Sequence, residues 1–383
     1  MAGQSISTSM FPWPVSTVVH RATKGISQLE GVNGSPRPAC DAGWNDFGLC
    51  AVSCLPPPMR VALPLIYGKP TSNDLTTDPS GTNPPTDKWS EWLLRHRHGS
   101  DPDHEPVIRS MVQCIRDRVL DGARLSAGTV LVDVGAGDGL ITFGAFERVG
   151  PSLKAVLTDV SAPLLKRAEE RAVEYGVRDR CTFLQTSAER LEGVADASAD
   201  VLITRAVLVY VTDKAAAARQ FHRVLKPGGR ISICEPIYRY EALQLAALTD
   251  LLRSRPADAV STHARLMQRC RAAQLPSTLE EIQSNPLTNF SERELITIFE
   301  KAGFPEVHLE LHIDVRKAPA MPWDTYIDIA PRPGAPTLRE VMASQLSELE
   351  QRHFEEGLRP LVESGRNTER DTLAYLTAAK PVD

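Results

Sequence analysis

Short apolar strands alternate with helical stretches from Thr129 to Pro236, and no other feature of the chain constrains its fold as tightly. The strand candidates are TVLVDV, LKAVLTDV, RCTFLQTS, ADVLITRA and GGRISICEP. Between them lie LITFGAFERV, APLLKRAEERAVEYG, a short helix after RCTFLQTS, and DKAAAARQFHRVL. Strands joined through helices pair in parallel by right-handed crossovers, with helices on both faces of the sheet. The expected class is therefore α/β and doubly wound, with any ligand at the carboxyl ends of the strands where the strand order reverses.

Other segments flank this core. Residues 1–58 are rich in Ser, Gly and Pro, carry no sustained period and end in Pro56-Pro57-Pro58, so they read as a disordered extension ahead of Met59. They lack a signal-peptide apolar run, and Glu30, Asp41 and Asp46 oppose a transit peptide. Residues 59–125 read as a helical cap. In it Trp89, Trp92, Leu93 and His96, then Val107, Met111, Cys114, Ile115 and Val119, recur at helical spacing. The main domain spans 126–383, with helical insertions at about 237–290 and 317–370. The second insertion carries one long helical pattern through Leu338, Val341, Met342, Gln345, Leu346 and Leu349. Between the insertions, Ser291 and Glu294 form a capping-box signature and VHLELHIDV alternates as a strand.

The loop Gly135-Ala136-Gly137-Asp138-Gly139 joins the first strand to its helix, the place where missing side chains let a cofactor approach the backbone. A dinucleotide fingerprint needs glycine at 140, but Leu140 stands there, and Asp138 would oppose a pyrophosphate. A nicotinamide oxidoreductase is thereby disfavoured. S-adenosylmethionine has no phosphate and carries a positive sulfonium and amine, so an acidic rim of Asp133 and Asp138 suits it. Asp159 ends the second strand, where a carboxylate accepts from ribose hydroxyls. Its alternative role is an N-cap, for which Ser161 is equally well placed.

Five segments in register, VDVGAGDG, LTDVS, FLQTSAERL, DVLITRAVLVYVTD and FHRVLKPGGRISICEP, resemble the class I methyltransferases of the UbiE and small-molecule type. AGFPEVHLEL and AYLTAAKP are similar to that family's terminal antiparallel strands, so about half of the chain is covered. The resemblance implies a Rossmann-like, mostly parallel seven-stranded sheet with added helical lid segments. It also implies S-adenosyl-L-methionine as cofactor. Asp133, Gly135, Ala136 and Gly137 would then hold the methionine portion, Asp159 and Val160 the ribose, and Ser187 with Ala188 the adenine edge, although Ser187 stands where the family commonly has Asp. Arg205 would lie near the methionine end or the substrate mouth, its alternative being a scaffold ion pair.

In-line methyl transfer needs mainly alignment and exclusion of water, so a general base is optional. Tyr210 stands where the family often has His, and Glu235 ends the fifth strand; these two are the candidate catalytic groups, against packing and capping alternatives. Trp89 and Trp92 read as helix core before substrate cage, and His96, His98 and His104 as a solvated helix end before a metal site. The three added segments would form a lid over a small, partly hydrophobic acceptor, or mediate a homodimer. The second functional hypothesis is a protein that binds the cofactor without methylating, such as a cofactor-dependent cyclase or binding subunit.

Composition closes off other classes. A net charge of -5 lacks the basic excess of a nucleic-acid binder, and no apolar run reaches membrane-spanning length. Seven scattered cysteines without CxxC spacing read as reduced thiols of a cytoplasmic protein, with Cys181 and Cys234 as small buried hydrophobes and no metal expected.

Overall fold

The computed structural model describes residues 86–256 and 261–382. The extension at 1–58, the start of the cap and Cys40, Cys50 and Cys54 lie outside the described residues.

Seven strands form one sheet in the order β3-β2-β1-β4-β5-β7-β6. β1 (Val130–Val134), β2 (Lys154–Asp159), β3 (Cys181–Gln185), β4 (Ala199–Arg205) and β5 (Leu225–Pro236) are mutually parallel. β7 (Thr368–Ala379) enters antiparallel between β5 and β6 (Val307–Lys317). The doubly wound expectation holds, and the order reverses between β1 and β4.

Each face of the sheet carries its own core. On one lie Phe221, Phe290, Leu295, Phe299 and Phe304, contributed mainly by α5 (Lys214–Val224) and α9 (Glu292–Lys301). On the other lie Val119, Leu120, Phe143, Leu165 and Ala168, from α2 (Glu105–Ala123), α3 (Leu140–Val149) and α4 (Ala162–Glu174). The Ser291–Glu294 capping box starts α9 as expected.

Four local expectations are corrected. The helix after the third strand is a series of turns, because Leu191 and Gly193 take positive φ values of 44° and 85° that end any helical run. The fifth strand, expected to begin at Gly228, starts earlier, at Leu225: Ala199 pairs with Leu225 and Val201 with Arg230, leaving Lys226–Gly229 as an irregularity within β5. The long helix of the last insertion is three, α10 (Trp323–Asp328), α11 (Leu338–Gln345) and α12 (Glu348–Glu363), because Ser347 and Glu350 form a capping box that restarts the chain. In α2 the buried stripe is Val112, Val119, Leu120 and Ala123, while Val107 and Met111 are exposed.

α2 also belongs to the sheet layer rather than to a cap. The Ser232 hydroxyl donates to the Val119 carbonyl at 2.7 Å, and Arg230 donates to that of Gly122 at 2.6 Å. Among the described residues of the expected cap, only α1 (Lys88–Leu94) and the 3₁₀ turn His96–His98 lie over the strand ends. In the first insertion, α6 (Arg239–Ser254) and α8 (Leu279–Ser284) bury Leu245 and Ile282 in the sheet core. α7 (Thr262–Gln274) joins a separate cluster with α10, α11 and α12. No described residue of that insertion lines the cavity described next.

Candidate functional site

A cavity of about 270 Å³ opens at the carboxyl ends of β1, β2 and β4, where the strand order reverses. Asp133, Gly135, Ala136, Gly137, Asp159, Val160, Ser187, Ala188, Arg205 and Tyr210 all line it. Of the expected site residues only Glu235 is absent.

Two adjacent N–H groups of the loop are tied to the end of β2. Ala136 N–H donates to the Thr158 carbonyl at 2.9 Å, and Gly137 N–H to Asp159 Oδ2 at 2.8 Å. A Cβ on Gly135, whose φ is +65°, would come within 2.2 Å of Val207, so the chain after β4 by itself requires a glycine there. Gly137 is the open one, with only a Leu93 methyl at 3.6 Å from a Cβ built there.

Three carboxylates surround this loop. Asp133 is buried, accepts from the Thr142 hydroxyl at 2.7 Å, and has its pKa pushed up by burial to about 7. Asp159 is buried at 8% exposure, and burial raises its pKa as well. Its Oδ1 accepts from Ser161 N–H at 2.9 Å, while Ser161 caps α4 by accepting from Leu164 N–H at 3.3 Å. The N-cap alternative for Asp159 therefore falls to Ser161. Asp138 is bound by Arg171 at 2.6 Å, which neutralises it and weakens the charge argument drawn from it against a pyrophosphate. Leu140 at the third glycine position still stands against a dinucleotide loop.

Glu235 requires a correction. It has 0% exposure, and its two oxygens accept the N–H groups of Val207, Leu208 and Val209 at 3.0–3.1 Å. It holds the turn after β4 from behind and reaches no ligand, because the turn lies between it and the cavity. Burial raises its pKa to about 7. The Tyr210 phenol is partly buried and meets Trp89 edge-on at 4.9 Å. Burial raises its pKa far above the ordinary phenol value.

The roof was the part least visible from sequence. Trp89, Trp92 and Leu93 of α1 line the cavity, with Arg97 beside them and Pro333 from the last insertion. Trp89 and Trp92 are thus cavity residues rather than helix core. The Trp92 indole donates to the Ala330 carbonyl at 2.9 Å, Ala330 N–H donates to the His96 carbonyl at 2.9 Å, and Thr325 donates to Asp101 at 2.6 Å. These bonds join α1 to the last insertion as one roof. Arg97 carried no signal of its own; it lies in a basic stretch that reads as solvent-facing. Its Nη2 is buried without a hydrogen-bond partner among the described residues, and burial lowers its pKa to about 10. Cys181 and Cys234 are buried away from the site, their thiols pushed up to about 11 and about 12.

Comparison with known proteins finds similarities to this architecture. Residues 125–303, just under half of the chain, match a family described as a methyltransferase domain. The ubiquinone/menaquinone biosynthesis C-methyltransferase UbiE of Hahella chejuensis is 36% identical over 116 residues, covering 30% of this chain and 46% of the relative. UbiE of Pseudomonas paraeruginosa is 36% identical over 116 residues, covering 30% and 44%. The chain thus spans less than half the length of the curated relatives it matches. Among solved structures, the YcgJ protein from Bacillus subtilis aligns with 70% of this chain and 99% of its own at TM-score 0.44 and 19% identity. Haemonchus contortus phosphoethanolamine N-methyltransferase 2, solved with S-adenosyl-L-methionine, aligns with 76% and 56% at TM-score 0.42 and 16% identity.

Proposed function

We propose that the whole chain, of which residues 125–303 match a methyltransferase-domain family, is an S-adenosylmethionine-dependent enzyme that methylates a small molecule at oxygen, nitrogen or carbon. The observation that carries the proposal is the convergence, on one cavity, of the glycine loop, the Asp159 carboxylate and an aromatic roof.

The residues suit this cofactor. Gly137 faces open space, and Asp159 keeps lone pairs beyond the two N–H groups it accepts, enough for ribose hydroxyls. The unpartnered Arg97 Nη2 suits a carboxylate beside the loop. In this arrangement Asp133, Gly135, Ala136 and Gly137 surround the methionine portion, Asp159 and Val160 the ribose, and Ser187 and Ala188 the adenine edge. When bound, the cofactor supplies a methyl group on a positive sulfonium, displaced by the acceptor's lone pair with release of S-adenosylhomocysteine. The chain contributes alignment and a dry site. Tyr210, held protonated by its burial, orients the acceptor as a hydrogen-bond donor and does not remove its proton. We read 126–383 as the catalytic domain and the reducing cytoplasm as its location. Among the described residues no helix is long and apolar enough to cross a membrane.

Calorimetric titration of the wild type and Asp159→Ala with S-adenosylmethionine, S-adenosylhomocysteine and NADH tests the proposal. The sulfur compounds are expected to bind the wild type and to lose at least tenfold in affinity on Asp159→Ala. Binding of NADH alone would end it. A second reading, cofactor binding without methyl transfer, draws on one observation: neither candidate base serves, since Glu235 is walled off and Tyr210 stays protonated. Transfer of a labelled methyl group to a metabolite extract separates the two.

A further inference from the structure

The cavity holds two guanidinium groups, and the proposed cofactor has one carboxylate. Arg97 and Arg205 both line the wall, and among the described residues neither has an ion-pair partner. The acids nearby are committed elsewhere: Asp138 to Arg171, Asp133 to Thr142, and Asp159 to the backbone of Gly137 and Ser161. Glu189 lies on the opposite side of the cavity, beside Ser187 and Ala188. A cation left unpaired in a partly dehydrated wall is costly unless a bound group neutralises it.

The two arginines face different neighbours. Arg97 follows α1, whose Leu93 lies over Gly137; besides its burial it feels first the positive charge of Arg205 and then the charge of Asp138 in the loop. That position serves the cofactor. Arg205 ends β4 and acts electrostatically on Tyr210 and Tyr238, on the side of the cavity where Trp89 meets Tyr210 edge-on. Arg332, stacked 5.7 Å from the Tyr238 ring, adds positive charge behind the same wall. An aromatic corner, with the Trp89 and Tyr210 rings at 77° to each other, and a planar cation therefore meet on this side of the cavity.

We infer that the acceptor is a ring-bearing carboxylic acid whose ring packs against Trp89 and Tyr210 and whose carboxylate pairs with Arg205. The acid is the recognition handle. The methyl group goes to a different atom of the same molecule, which loses a proton to solvent as the methyl–sulfur bond breaks.

The inference rests on the methyltransferase proposal, and its test keeps the two apart. The full chain is first saturated with S-adenosylhomocysteine, then titrated calorimetrically with benzoate, cinnamate and indole-3-acetate, each against its primary amide, and with phenyl phosphate. At least one acid is expected to bind tenfold or more tighter than its amide. Arg205→Gln removes that preference while holding S-adenosylhomocysteine affinity within about twofold, and Arg205→Lys restores part of it. Arg97→Gln instead weakens S-adenosylhomocysteine. Thermal melts of each variant identify any that fail to fold, in which case Arg205→Lys alone carries the comparison. No S-adenosylhomocysteine binding to the wild type would sink the cofactor proposal. Normal cofactor binding with acids and amides bound equally, a preference that survives Arg205→Gln, or phenyl phosphate bound in place of every carboxylate would overturn the acid-acceptor inference alone.

Discussion

Gly135 and Gly137 stand two positions apart in one loop and answer to different neighbours. A methyl group on Gly135 would meet Val207 at 2.2 Å in a left-handed backbone, so Gly135→Ala is expected to cost about 2–4 kcal/mol. Gly137→Ala meets only Leu93 at 3.6 Å and should cost about 1 kcal/mol of backbone strain, yet weaken S-adenosylhomocysteine binding more. Urea midpoints and calorimetry on the two variants check this crossing of effects. Glu235 yields a pH prediction. Its pKa rises from 4.5 to about 7 on folding, so the folded state holds more protons than the unfolded in that window. The stability due to its protonated form is complete below about pH 4.5 and is lost as pH rises through 7, up to about 3 kcal/mol. Glu235→Gln removes the titration, so the gap, taken as the wild-type urea midpoint minus that of the variant, should be larger at pH 5 than at pH 8. A gap that widens towards pH 8 would show that the three N–H donors of the turn hold Glu235 as an anion instead.

The roof is assembled from short elements whose ends are set by caps. Asp87 and Ser90 form the box that starts α1, and Ser347 with Glu350 separates α12 from α11. Ser347→Ala is expected to cost about 1 kcal/mol, read from the urea midpoint, with no change in S-adenosylhomocysteine affinity, because that cap lies far from the cavity residues. Trp92→Phe removes the bond to the Ala330 carbonyl and loosens α1 from the last insertion. For this variant the acceptor KM should rise severalfold while S-adenosylhomocysteine affinity changes little, since the loop and Asp159 are untouched. Both caps were readable as S/D-x-x-E/S patterns. The break at Ser347 was overrun in a reading by periodicity because Leu346 and Leu349 continue the apolar spacing across it.

β7 sits between β5 and β6, and its Ala374 and Leu376 are fully buried. A chain ending before Thr368 would expose the whole edge of β5, so it is expected to be insoluble or aggregated in gel filtration. A soluble truncated chain that binds S-adenosylhomocysteine would show that the family-matched core folds alone. The strands, the glycine loop and Asp159 at the end of β2 were all legible in the amino-acid pattern, because alternation, glycine placement and right-handed crossover depend on near neighbours and on rules common to parallel sheets. Tyr210 was placed on the cavity for the same reason, being a few residues beyond a strand end. The burial of Glu235 was not legible: a glutamate at a strand end looks the same whether the following turn exposes it or folds over it. Nor was the roof. Trp92 and Ala330 are 238 positions apart, and Arg97 belongs to the cavity because long-range contacts of this kind hold α1 over the strand ends. Local pattern thus dictates the sheet, the glycine loop and the strand-end groups Arg205 and Tyr210, whereas the roof of Trp89, Trp92 and Arg97 is brought over them by long-range packing, which no local period encodes.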